Sequence, residues 1–86
     1  MEEKCIFHND YYYYDIVRKN IKKYRKLANL TQQELADKIE VSMHYISQIE
    51  SAKPNKYFTL VIIGRIADVL NIDIRQLFDD INNLPQ

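Results

Sequence analysis

Residues 31–50, TQQELADKIEVSMHYISQIE, constrain this chain most, because they read as two short helices joined by a tight turn. Thr31 and Glu34 form the Thr-x-x-Glu pair that satisfies free backbone N–H groups reciprocally at a helix start, so a helix begins near Gln32. Leu35, Ala36 and Ile39 then recur at helical spacing as a narrow apolar stripe, leaving Gln32, Gln33, Asp37 and Lys38 outside. The stripe stops at Glu40-Val41-Ser42, where Val41 can plug the core and Ser42 can cap a second helix. That helix, 42–50, sends Ile46 and Ile49 inward. Its other face carries Met43, His44, Tyr45, Ser47 and Gln48, with no acid before Glu50. Hydrogen-bonding and apolar groups without carboxylates suit the edges of base pairs in a major groove.

The flanks read as supports for this unit. Residues 1–14 are expected to be an N-terminal arm, holding a Cys5-x-x-His8 pair and a tyrosine run from Tyr11 to Tyr14. With His44 the sole other histidine, two ligands do not make a zinc site, and no metal or cofactor is called for. The tyrosines can seat against a partner subunit, although ordinary packing on the domain is the simpler reading. From Asp15, a plausible cap, a helical pattern runs through Ile16/Val17, Ile21, Tyr24 and Leu27/Ala28, and Asn29 tolerates a left-handed stop. After the central unit, residues 51–56 form a loop broken by Pro54. Thr59 can cap a further helix whose core stripe is Leu60, Ile63, Ile66/Ala67 and Leu70, closed by Asn71. Gly64 inside that helix suggests a close helix approach, and Val61, Ile62 and Val69 widen the apolar surface until something covers them. Asp73 and Gln76 repeat the capping logic before Leu77 and Phe78 dock. The expectation is an all-α domain of five helices over 15–80 and a C-terminal tail, 81–86, whose Ile81 and Leu84 can join Val61 and Ile62 in a two-fold interface.

Composition agrees with a small ordered domain. An apolar fraction of 47% with one glycine and two prolines excludes disorder as the default, yet 86 residues bury only about 60–65% of the unfolded surface, so a second copy would add stability. There is no membrane-length apolar run and no signal-like start, and Cys5 is the single cysteine, which together lead to a cytoplasmic expectation. A net charge of zero argues against strong non-specific polyanion binding. The distribution is uneven: Arg18, Lys19, Lys22, Lys23, Arg25 and Lys26 fall in one acid-free stretch, while Asp68, Asp73, Asp79 and Asp80 weight the far end.

The stretch LTQQELADKI…VSMHYISQIE resembles the helix-turn-helix of the Cro and phage-repressor type of bacterial regulators (the XRE family), and the likeness extends from about Ile21 to Phe78. One departure stands out: where that family usually has glycine in the turn, this chain has Glu40. The resemblance implies a lambda-repressor-like fold and a sequence-specific transcriptional regulator, most simply a repressor, that binds a double-stranded DNA operator as a homodimer. It implies that Met43, His44 and Gln48 reach bases, and that Gln32 contacts the phosphate backbone. Lys53, Asn55 and Lys56 lie in the loop that runs along the backbone in the related fold, and Tyr45 and Ser47 can add hydroxyl contacts. It also pairs Arg25 with Glu50, a compensation the acid at a helix C-terminus needs, because it opposes the dipole there.

The competing class is a protein partner's docking module or an antitoxin, using the apolar surface of 60–84. An enzyme is the weakest reading: Cys5, His8 and His44 form no nucleophile-base set by spacing, and one glycine precludes a phosphate-cradling loop.

Overall fold

The computed structural model describes residues 6–51 and 57–80. Among them are four α-helices, α1 (Tyr12–Leu27), α2 (Gln32–Ile39), α3 (Met43–Glu50) and α4 (Leu60–Leu70), followed by a 3₁₀ helix, Ile74–Phe78. No strand is present among the described residues, and no helix there is long and apolar enough to cross a membrane.

Most helix ends are written locally. Thr31 Oγ1 accepts from the Glu34 amide at 3.0 Å and Glu34 Oε1 accepts from the Thr31 amide at 2.8 Å, which starts α2. Ser42 and Thr59 cap α3 and α4 by accepting from the amides of Tyr45 (3.0 Å) and Ile62 (3.2 Å). Glu40 takes the left-handed conformation at φ 67°. That costs a non-glycine residue about 1 kcal/mol, against which the Val41 amide donates to Ala36 O at 3.0 Å and closes the helix end. Asn29 (φ 60°) and Asn71 (φ 57°) end α1 and α4 in the same way.

The core joins all of these pieces. Val17 and Ile21 of α1 meet Leu35, Ala36 and Ile39 of α2, Ile46 and Ile49 of α3, and Ile63, Ile66 and Leu70 of α4. Tyr14 packs edge-on against Phe58, 5.0 Å between ring centres, and Tyr11 stacks on Tyr57 at 5.3 Å, so much of the tyrosine run is ordinary packing. The ring of His8 stacks on Tyr12 at 3.7 Å, and Cys5 lies outside the described residues.

Several expectations need correction. Helix α1 starts at Tyr12 and not at Asp15, because Asn9 turns the chain earlier by accepting from the Tyr11 amide at 2.8 Å. Asp15 instead pairs with Arg18 at 2.8 Å across one turn. The fifth helix is a short 3₁₀ turn and not an α-helix. Asn20, fully buried in α1, donates to Leu77 O (2.9 Å) and Asp79 O (2.7 Å), so that these carbonyls serve α1 and not a further turn. At the start of this turn the Arg75 guanidinium, with two hydrogen bonds, and the Arg75 amide, with a third, hold the Asp73 carboxyl down from its ordinary 3.8 to about 2. Leu60 and Leu27, expected in the core stripes, are 69% and 68% exposed. Each sits at a helix end, beyond the neighbours that cover the middle, and Phe78 is likewise exposed while Leu77 is buried.

Among the described residues nothing makes a close approach to Gly64, where a Cβ would meet nothing within 4 Å. Gly64→Ala is therefore expected to raise stability by about 0.5–1 kcal/mol through helix propensity. Urea unfolding reads this directly; a loss of stability would mean that another surface packs against Gly64.

Candidate nucleic-acid interface

The exposed side of α3 follows from its buried side. Ile46, Ile49 and Glu50 are turned into the domain, which leaves Met43, His44, Ser47 and Gln48 on one outward face at spacings of one, four and five residues. Met43 and His44 are exposed, while Ser47 and Gln48 are half-buried with their outer parts open. This face contains neither an acid nor a lysine or arginine. Tyr45 departs from the group: its ring packs on the core and desolvation raises the pKa of its hydroxyl. At the far end Ser51 Oγ donates to Gln48 O at 2.9 Å, finishing the helix.

One buried ion pair fixes α3 to α1. Arg25 Nε donates to Glu50 Oε2 at 2.7 Å and Nη2 donates to Oε1 at 3.0 Å, a two-point grip on a carboxylate only 2% exposed. Arg25 Nη1 donates to Leu30 O at 2.6 Å, which ties the turn before α2 into the same knot. The acid at the C-terminus of α3 is thus paired with the Arg25 guanidinium. Glu50 takes a third donor that residue spacing did not reveal: Gln32 Nε2, at the first position of α2, donates to Oε1 at 3.1 Å. Spacing within a helix carries no signal for a contact between the start of one helix and the end of another.

The remaining sequence-derived positions divide cleanly. Lys19, Lys22, Lys23 and Lys26 are exposed along α1, and Arg18 is engaged by Asp15. Lys53, Asn55 and Lys56 lie outside the described residues, as do Ile81 and Leu84. A second surface lies apart from α3: Tyr13, Leu60 and Phe78, all exposed, rim an open cavity of about 220 Å³ floored by Val17 and Phe58. Val61 stands exposed beside it.

The chain's relationships agree with this geometry. A family model described as helix-turn-helix matches residues 21–77. Among solved structures, the restriction-modification controller protein C.AhdI from Aeromonas hydrophila is similar, at 25% identity and a TM-score of 0.67 over 76% of this chain and 96% of that one. The master regulator for biofilm formation SinR, solved in complex with DNA, is 30% identical with a TM-score of 0.63, over 73% of this chain and 98% of that one. No curated protein matches the chain.

Proposed function

The chain belongs to the helix-turn-helix family matched over residues 21–77, and from that premise we propose that it is a transcriptional regulator that reads a double-stranded DNA operator with α3. The observation that carries the reading is the outward, acid-free face of Met43, His44, Ser47 and Gln48, held at a fixed angle by the Glu40 turn and the buried Arg25–Glu50 pair. Both named relatives are regulators, and one was solved on DNA.

Roles follow from donor and acceptor chemistry. Gln48 pairs with adenine N6 and N7 through both ends of its carboxamide, His44 donates to guanine, and Met43 lies against a thymine methyl. Gln32, Ser47 and the loop residues Lys53, Asn55 and Lys56 meet phosphates and set register; Tyr45 contributes its hydroxyl only from the flank. With no arginine on α3, the strong two-point recognition of guanine is absent, so one half-site binds modestly and a homodimer reading two half-sites about one helical turn apart compensates. We assign that pairing to exposed Leu60 and Val61, since Ile62, expected there from the sequence, is half-buried. Repression by occupying an operator is the simplest outcome, and with DNA as ligand the expected compartment is the cytoplasm.

A second reading, a docking module or antitoxin, draws on the same exposed Leu60, Val61 and the apolar cavity. Sedimentation with a randomised duplex pool separates the two: a dimer enriching an inverted repeat supports the regulator, and a monomer enriching nothing supports the docking module. Within the first, Gln48→Ala is expected to weaken the recovered site by about 1–3 kcal/mol and to relax preference at one base pair. Equal loss on every sequence would remove Gln48 from base reading.

A further inference from the structure

We propose that Glu50 is a positioning residue for DNA, acting through Gln32, in addition to holding α3 against α1. The proposal rests on the DNA reading above and concerns how one backbone contact is made.

A surface glutamine samples many rotamers and loses that freedom when it grips a phosphate. Gln32 has already lost it. Its Nε2 donates to Glu50 Oε1 at 3.1 Å, a hydrogen bond strengthened by the charge on the acceptor. Glu50 cannot follow a moving partner, because Arg25 holds both of its oxygens, at 2.7 and 3.0 Å. Arg25 in turn is held by Leu30 O at 2.6 Å. The run from Leu30 through Arg25 and Glu50 to Gln32 therefore ends in a carboxamide of set orientation.

The carboxamide has two N–H groups diverging from one nitrogen. With one directed at Glu50, the other is directed away from it, on a residue that is only half-buried. A phosphate oxygen is an acceptor and fits that second N–H. Charge balance supports the arrangement, since Arg25 neutralises Glu50 and leaves an amide donor facing outward in place of a bare carboxylate that would repel the backbone. Gln32 itself is uncharged, so its contact adds affinity without releasing a counterion.

The test measures binding of a duplex recovered from the randomised pool to the full chain and to Gln32→Met, Glu50→Leu, which has no acceptor for Gln32, and the double variant, at a temperature where urea curves show each to be folded. Each single change is expected to weaken binding about tenfold, and the double no more than the weaker single, because both break one contact. The slope of affinity against salt should stay at the wild-type value. A Glu50 that served only the fold would leave Gln32 its full tenfold in the Glu50→Leu background, and losses multiplying to about a hundredfold would overturn the proposal.

Should Glu50→Leu fail to fold, the wild-type side-chain amide of Gln32 decides by proton–nitrogen NMR. One of its two protons is expected downfield before DNA is added, with the other moving on titration of the duplex. Two protons at solvated-glutamine positions would overturn the proposal. A wild-type chain that binds no duplex would overturn the DNA reading and the proposal together, whereas binding with multiplicative losses overturns the proposal alone.

Discussion

Arg25→Ala is expected to lower the free energy of unfolding by about 3–5 kcal/mol, measured by urea denaturation at neutral pH. The loss comes from what is left behind. Glu50, with its side chain 2% exposed, would retain a single donor from Gln32 and no countercharge, and Leu30 O would lose its 2.6 Å donor as well. The stranded carboxylate also sits at the C-terminal end of α3, where the helix dipole opposes it. Domains of this size hold about 5–15 kcal/mol in total, so the variant should populate unfolded chain visibly at room temperature. Replacing both partners, as Arg25→Met with Glu50→Leu, should recover most of the stability, because no buried charge then remains to desolvate. The double variant would be stable and still impaired on DNA, since Gln32 has lost its anchor. An Arg25→Ala loss below about 1 kcal/mol would mean that water reaches the pair in solution.

That ion pair also marks where the sequence was legible and where it was not. Features closed within four or five residues could be read directly: the Thr31/Glu34 box, the Ser42 and Thr59 caps, and the left-handed ends at Asn29 and Asn71. Glu40 stood out as the residue in place of the usual turn glycine, and it takes the left-handed conformation at φ 67°. Core stripes were right in the middle of helices and wrong at their ends. Periodicity says which side of Leu27 or Leu60 faces the domain, but not whether a neighbour extends far enough to cover it. Gly64 was read as a place of close approach because a helical glycine is costly, and the space beside it is open. Asn20 escaped notice because it sits among lysines in the sequence, and its two acceptors are 57 and 59 residues away. The same distance rule hid the Gln32–Glu50 bond, which joins two residues whose roles had been read separately.

Changing both Leu60 and Val61 to aspartate is expected to turn a dimer into a monomer in sedimentation and to weaken binding to an inverted repeat by about 10²–10⁴-fold. The fold should be spared. Both residues are more than 60% exposed in the described chain, and they occupy the first turn of α4, where carboxylates favour the helix dipole. Binding to an isolated half-site should stay at the wild-type level, because α3 and its anchors are untouched. The size of the effect follows from α3 itself. A face proposed to read bases with Gln48, His44 and Met43, and carrying no arginine, would give each half-site little affinity of its own. Tethering two such faces makes the second contact intramolecular, and the tether is what the two aspartates remove. Retained dimers would move the pairing surface elsewhere on the chain. A variant that loses neither its dimer nor its inverted-repeat affinity would leave the apolar rim of Tyr13, Leu60 and Phe78 open to a different protein, and the docking reading would then account for that surface better than self-pairing does.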